Sequence, residues 1–379
     1  ICNAIGKLAL KSLTISHFRT HKFSKLEFTQ GPIVLFGCNG IGKTNVLEAV
    51  SLFAPGRGLR RAKLEDLSRR PDQLGWKLIA QIDIDDRIYE VSTLYGTDKS
   101  RKIFIDGKSG SQHELGRLIK ILWITPLMDR IWLEGSNERR RFLDRLVSTI
   151  VSDHTDNLVK YYKALRQRNK LLKDKSSDYN WFKVLEHQMA HFGASIEVSR
   201  TNVLSQIMRQ QAESKSVFPT AKLSLVCSEF LDPRNLESQF EANREKELWV
   251  GRTLFGPHLN DLHAIYSSKC VEAKNCSTGE QKALLISIVL ATARIQIEVF
   301  NIAPIILFDE VSAHLDGKSR VLLYDELCKL GSQVFLTGTD EMIFSELKNR
   351  AQFFELSMEK DKTICTQSKQ SNIKNNKSQ

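Results

Sequence analysis

Gly37-Cys-Asn-Gly-Ile-Gly-Lys-Thr44 fits the phosphate-binding pattern G-x-x-x-x-G-K-[ST]. Its flanks supply the context that the pattern requires. Pro32-Ile-Val-Leu-Phe36 is a short β-rich run, and Asn45 to Phe53 has helical spacing with Val46, Leu47, Val50 and Leu52 on one face. A strand, a glycine loop and a helix in that order aim backbone N–H groups and a positive helix end at an anion. Gly37, Cys38, Asn39, Gly40, Ile41, Gly42, Lys43, Thr44 and Asn45 are therefore the expected nucleotide-binding residues. Glycines at 37, 40 and 42 allow close backbone approach that a Cβ obstructs. Lys43 is expected on the β- and γ-phosphates and the Thr44 hydroxyl on Mg2+, so ATP and Mg2+ are the implied cofactors.

A second half-site lies far downstream. Ile305-Ile-Leu-Phe-Asp-Glu310 reads as a buried strand that delivers two carboxylates to the C-terminal edge of a sheet, where open α/β sheets hold ligands. Asp309 is expected to hold Mg2+ together with Thr44, directly or through water. Glu310 is expected to orient and deprotonate the attacking water. Phosphoryl transfer needs positioning and charge neutralisation more than covalent help, which makes Lys43 and Glu310 the candidate catalytic residues. Just before this strand, Ser277-Thr-Gly-Glu-Gln281 opens an apolar helix. Ser277 and Glu280 fit a capping box. On a second reading, the same helix start points its N–H groups at the γ-phosphate of another subunit. Either way, one nucleotide site must be assembled from both ends of the chain.

With 379 residues and 41% apolar content, the chain can bury two or three ordinary cores. Its 55 basic against 44 acidic residues give a formal charge of +11, which favours a polyanionic partner. Seven cysteines form no C-x-x-C pair, which argues against a disulfide framework or zinc site and for a reducing compartment. No run approaches 18 consecutive apolar residues, so no transmembrane helix is expected, and no membrane is among the expected partners. Ile1 to Lys7 lacks the apolar core of a secretory signal, and an initiator Met is missing. Alternating runs at Leu78–Ile84, Arg87–Leu94 and Lys102–Gly107 suggest an antiparallel sheet beside the nucleotide site. From Gln112 to Glu213 the pattern becomes helical and charged. Helices are expected again at 280–300 and 318–330, and strands at 305–308 and 333–337. The fold class is α/β.

At this point the chain resembles the RecF family, recombination-mediator ATPases related to SMC proteins. The residues that carry the resemblance are Phe18-Arg-Thr20, Asn39 to Arg61, Glu138 to Arg145, Gly251 to His258, Ser277 to Ala283, Phe308 to Asp316 and Phe335 to Asp340. The resemblance implies an ABC-type P-loop ATPase head with an inserted, mostly α-helical arm lobe. The corresponding domains are 1–111 and 246–360 for the head, 112–245 for the arm and 361–379 for a disordered tail. It also implies that Ser277, Thr278, Gly279, Glu280 and Gln281 act in trans as a signature, with Ser312 and Asp316 in the loop that crosses the dimer interface. Arg19 is a candidate nucleotide contact. The family implies a homodimer formed on ATP, slow DNA-dependent hydrolysis, and binding to single-stranded DNA and gapped duplex. Partners would be RecO- and RecR-like mediators and a RecA-type recombinase, in repair, replication restart and the SOS response. The implied location is the bacterial cytoplasm, on the nucleoid. Three positions depart from the family pattern. Leu259 and Asn260 follow Gly-Pro-His in place of a basic and an acidic residue, Thr339 and Asp340 stand where a switch histidine is usual, and Thr125 to Asp129 contains no glutamine.

Arg57, Arg60, Arg61 and Lys63 form a basic cluster just past the loop helix and are the candidate DNA contacts. Lys160 to Lys175 is a second basic run, open to reading as a DNA face or a solvated helix. Arg139 to Arg141 could serve DNA or pair with acids. The rival readings are an ABC transporter's nucleotide subunit, an SMC-like DNA tether, and a kinase or small-molecule ligase. A transporter subunit would hold the two motifs closer together. A tether would need more than about 100 helical residues and sustained a/d heptads, which are not seen. A kinase or ligase would leave the signature helix idle.

Overall fold

In the computed structural model, residues 6–214, 216–226, 232–359 and 362–368 are described. From the N-terminus, β1 (Leu8–Phe18), β2 (His21–Glu27) and β3 (Pro32–Phe36) lead through the glycine loop into α1 (Lys43–Ser51). Next come β4 (Trp76–Ile84), β5 (Arg87–Tyr95), β6 (Arg101–Ile105), β7 (Lys108–Gly110), α2 (Gln112–Leu118) and β8 (Ile121–Ile124). The middle of the chain holds α3 (Ser136–Ile150), α4 (His154–Lys173), α5 (Tyr179–Glu213), β9 (Ala221–Val226), α6 (Pro233–Val250), β10 (Asp261–Tyr266), β11 (Val271–Glu272) and α7 (Thr278–Phe300). The C-terminal part adds β12 (Ile305–Phe308), α8 (Gly317–Lys329), β13 (Val334–Gly338), β14 (Gln352–Glu359) and β15 (Lys362–Gln367).

These elements form two compact units, residues 1–126 with 301–379, and Leu127–Phe300. The first unit has two six-stranded sheets. One is antiparallel, in the order β2-β1-β4-β5-β6-β7. The other runs β15-β14-β3-β13-β12-β8, parallel except for the edge strand β15. Its parallel strands β3, β8, β12 and β13 are mostly apolar runs, buried at every position, because parallel strands are covered on both faces. Helix α1 packs on β1 of one sheet and β13 of the other, and eight of its nine residues are buried. The Gln333 side chain, fully buried, ties this interior together. It donates to the Leu10 and Thr29 carbonyls and accepts from the Leu10 N–H. Replacing it with an apolar residue would strand those groups at about 1–3 kcal/mol each.

Three expectations are corrected here. Ile121–Ile124 lies within the stretch read as a helical arm, yet it pairs in register with Ile305–Phe308 as the edge of the parallel sheet. Residues 246–300 cluster with the arm segments, because α7 packs on α3 and α5. Lys362–Gln367, read as the start of a disordered tail, is a strand paired antiparallel to β14; residues 369–379 lie outside the described residues. Polar composition did not forbid order there, because β14 supplies a full ladder of backbone hydrogen bonds.

In the second unit, α4, α5 and α6 pack around Tyr161, Leu165, Leu185, Met189 and Phe240. Helical spacing puts Arg168 on the same inner face as Tyr161, Leu165 and Leu172, so it leaves the basic run and is fully buried. There it pairs with Glu186 at 2.9 Å and with Glu247, while Arg244 also reaches Glu186 at 2.6 Å. Two cations against two carboxylates leave no buried charge uncompensated. Lys163, Arg166, Lys170 and Lys173 stay exposed. Helix α7 is by length and composition apolar enough to cross a membrane, unlike what the run-length reading expected. Its most apolar window is 67% buried, as in a core helix.

His21, in β2 of the first unit, is completely buried, and burial pushes its imidazole down to about 4. An unfolded histidine takes up its proton near pH 6.5, so acidification favours the unfolded chain between 6.5 and about 4. We expect stability to fall by about 2 kcal/mol from this group between pH 7 and 5, read from denaturant midpoints. His21→Gln should flatten that dependence; an equally steep profile in the variant would rule His21 out.

Candidate functional site

The glycine loop leaves β3 and enters α1 with Gly42 in the left-handed region at φ 105°, and Gly37 and Gly40 also have positive φ. Side chains rarely adopt these angles, which explains the residue type at all three. No side chain caps α1. The Asn45 N–H donates to the Gly42 carbonyl at 3.0 Å, which leaves the Lys43 and Thr44 N–H groups at the helix start to face the loop, the arrangement that binds phosphate oxygens. Lys43 curls back so that Nζ donates to the Gly37 and Cys38 carbonyls at 2.6 and 2.9 Å. Burial lowers the affinity of this amine for its proton, and the Glu310 and Asp309 carboxylates oppose that.

Strand β12 delivers Asp309 to the same place. Thr44 Oγ1 donates to Asp309 Oδ1 at 2.9 Å, and Thr337 Oγ1, from the end of β13, donates to the same oxygen at 2.9 Å. The Asp309 N–H is anchored on the Ile124 carbonyl of β8 at 3.0 Å. Burial pushes the Asp309 carboxyl up, the two threonine hydroxyls hold it down, and neighbouring Glu310 adds to the rise. Adjacent ligands of an octahedral Mg2+ at about 2.1 Å lie about 3 Å apart. The Thr44–Asp309 oxygen separation of 2.9 Å fits such a pair. Hard oxygen donors fit the same ion. Among the described residues, no cluster of three or more His, Cys, Asp or Glu side chains gathers into a metal site. Two protein oxygens suffice for a Mg2+ that also takes phosphate and water.

Glu310 follows in the left-handed region at φ 52°, an uncommon conformation for a side-chain-bearing residue. Its N–H donates to Thr337 Oγ1 at 2.8 Å, which helps hold a backbone state costing about 1 kcal/mol or more. Thr337 therefore touches both acidic residues. The sequence reading quoted its segment without giving it a role. Its position at the C-terminal end of the strand beside β12 was the available signal.

Arg19 does not point to a free position. Its guanidinium binds Glu48 of α1 through two bonds of 2.9 Å and reaches the Asp66 carbonyl at 3.0 Å. Arg60 joins the same fully buried Glu48 at 3.5 Å and donates to Asn45 Oδ1 at 3.0 Å. One of the four proposed DNA residues is thus held against the loop helix. Arg57, Arg61 and Lys63 are exposed in the following loop, with Lys63 3.8 Å from Glu65. Arg101, absent from the sequence reading, fixes that loop by donating to the Gly56 carbonyl at 2.7 Å and to the Leu52 carbonyl.

A family described as RecF/RecN/SMC N terminal domain matches residues 9–364. Among curated proteins, the DNA replication and repair protein RecF of Rhizobium rhizogenes strain K84 is 39% identical over 367 residues, covering 93% of this chain and 97% of that protein. The protein of that name from Brucella suis biovar 1 is 39% identical over 367 residues, covering 93% and 95%. The chain belongs to the RecF family. A solved structure described as the recombination mediator protein RecF-ATPrS in the RecFOR pathway superposes with a TM-score of 0.83 at 22% identity, covering 97% of this chain and 100% of that one. An SMC head domain from Pyrococcus furiosus gives 0.57 at 16% identity, covering 95% and 96%. The fold is that of an ABC-type P-loop ATPase head with an inserted helical lobe.

The remaining RecF-type motifs are found as follows. Ser277, Thr278 and Gly279 are exposed at the start of α7 in the second unit. Ser277 and Glu280 do form a capping box: Glu280 Oε2 accepts from the Ser277 N–H and hydroxyl at 2.8 Å each, and Ser277 Oγ accepts from the Glu280 N–H at 3.4 Å. An ion pair with Lys269, with the Ser277 bonds, pulls the Glu280 carboxyl down to about 2. Gln281 is buried and donates to the Cys276 carbonyl, and its neighbour Lys282 pairs with Asp129 at 3.1 Å. Ser312 is buried under the Tyr324 hydroxyl at 2.9 Å, whereas Asp316 is exposed and caps α8 through Ser319. Two of the three clustered arginines turn inward, while Arg141 stays exposed. Arg139 binds Asp261 at 2.7 Å, Arg140 the Asn260 carbonyl at 2.7 Å, and Arg141 pairs with Glu138.

Glu48 is the side chain that sequence reading overlooked at greatest cost, being an acid on an apolar helical face. Glu48→Gln would remove the charge that both arginines face. Because Arg19 and Arg60 keep some solvent, we expect a loss of about 2 kcal/mol in denaturant unfolding, short of a wholly buried pair. An unchanged midpoint would contradict the assignment.

Proposed function

We propose that this chain is an ATP-controlled, DNA-binding switch of recombinational repair and replication restart in the bacterial cytoplasm, acting on the nucleoid. The Thr44–Asp309 contact at 2.9 Å, which joins the phosphate loop to the acidic strand end, is the observation that carries this reading. ATP would supply the γ-phosphoryl group, and a Mg2+ held by Thr44 and Asp309 would supply neutralisation of its charge. The N–H groups of the loop and of the start of α1 hold the phosphates. Lys43 leaves the Gly37 and Cys38 carbonyls for the β- and γ-oxygens. Glu310, set by the Thr337 contact, accepts a proton from the attacking water at its carboxylate. Hydrolysis is slow and acts as a timer.

The Ser277–Gln281 helix start completes a second subunit's site, so ATP drives a homodimer. In that step Ser277 exchanges its Glu280 partner for phosphate, and the Ser312–Asp316 loop crosses between subunits. The dimer binds single-stranded DNA and gapped duplex, with Arg57, Arg61 and Lys63 on phosphates and Arg60 in support. RecO- and RecR-like mediators then help it load a RecA-type recombinase, which supports the SOS response. The formal charge of +11 supports the polyanionic partner.

Lys43→Ala should abolish ATP binding, and Glu310→Gln should bind ATP but turn it over at least about a hundredfold more slowly, consistent with loss of a general base. Ser277→Arg should bind ATP as well as the unaltered protein yet remain monomeric. Filter binding to gapped DNA should show ATP-dependent retention in Glu310→Gln and none in Lys43→Ala. Normal turnover in either active-site variant would sink the catalytic assignment.

A further inference from the structure

Thr363 lies on β15, and its side chain is almost fully buried at 2% exposure. Its Oγ1 is hydrogen-bonded to the Ile41 carbonyl oxygen at 3.0 Å and to Thr20 Oγ1 at 2.7 Å. Thr20 Oγ1 also accepts from Asn45 Nδ2 at 3.0 Å. One hydroxyl on the C-terminal edge strand therefore reaches the last turn of the phosphate loop and, through Thr20, the first turn of α1. The approach is close: a Cβ on Gly42 would come within 2.7 Å of Thr20 Oγ1 and 3.0 Å of Thr363 Oγ1. At the other end of the loop, a Cβ on Gly37 would meet the Leu356 carbonyl of β14 at 2.4 Å. The β14–β15 hairpin thus lines the loop at both ends.

The peptide linking Ile41 to Gly42 is planar, and in a trans peptide the C=O and the N–H point in opposite directions. Holding the Ile41 carbonyl toward Thr363 turns the Gly42 N–H away from β15. This is one of the backbone donors that the nucleotide reading assigns to phosphate. We infer that Thr363 is a positioning residue for the phosphate loop, orienting the Ile41–Gly42 peptide for phosphate and making the C-terminal hairpin a working part of the nucleotide site. The inference rests on the reading of that site as an ATP site.

The test compares the full-length Thr363→Val variant, which removes the hydroxyl at nearly constant volume, with Thr363→Ser, which keeps it. Two quantities are read at a temperature where every variant is folded: the dissociation constant for ATP with Mg2+, and amide exchange over residues 37–44 without nucleotide. Thr363→Val should weaken ATP binding about three- to tenfold, the effect of one lost hydrogen bond, and speed loop exchange by a similar factor. Thr363→Ser should stay within about twofold of the unaltered protein on both. A Val variant with normal affinity and exchange, or a Ser variant as impaired as Val, would overturn the inference. If Thr363→Val does not fold, Thr363→Ala removes the same hydroxyl from the Ile41 carbonyl, and normal loop exchange there overturns the inference too. If Lys43→Ala binds ATP normally, the nucleotide reading fails instead, and exchange in the nucleotide-free protein still decides whether Thr363 orders the loop.

Discussion

The Asp309 carboxylate, fixed between the hydroxyls of Thr44 and Thr337, is the contact on which the nucleotide end of this protein depends. It joins a residue from the first fifty positions to two from beyond position 300, and so needs the whole parallel sheet in register. β3 must lie beside β13, and β13 beside β12, for the three side chains to converge. Burial raises the cost of the carboxylate's charge, and the two hydroxyls offset part of it. A group left partly short of compensation in this way is suited to a divalent cation, whose charge supplies the rest.

The phosphate loop and the acidic strand end were legible because their signals are local. Glycines at fixed offsets and an apolar run ending in Asp309-Glu310 carry the same meaning in any surroundings. What was missed depends on contacts remote in sequence. Ile121–Ile124 is as apolar as Ile305–Phe308, but the charged helical patterns beside it hid a strand whose meaning appears only in its pairing. Lys362–Gln367 has few apolar residues, and its order comes from the ladder it shares with β14. Glu48 drew no reading from the sequence, because an isolated acid among apolar positions carries no local signal of the Arg19 and Arg60 side chains that converge on it.

Charge in this chain sorts by helical phase and by pairing more than by its density along the sequence. Arg168, in the middle of a basic run, is a core residue held by Glu186 and Glu247. Arg139 and Arg140 support the segment after Gly-Pro-His through Asp261 and the Asn260 carbonyl. Asn260 replaces a charged residue usual for RecF-like chains, and its side chain donates to buried Glu197 at 3.0 Å. The position is thus filled by a neutral amide that donates to a buried carboxyl group. Arg57, Arg61 and Lys63 stay exposed, as do Lys163, Arg166, Lys170 and Lys173 on α4.

The central claim is that nucleotide at the Thr44–Asp309 site controls assembly. Light scattering of the unaltered protein with ATP, with ADP and without nucleotide, each with and without gapped DNA, tests it most directly. The account predicts a doubled molar mass with ATP alone of the three, and DNA joined to that species. An equal mass in all three nucleotide states would contradict it.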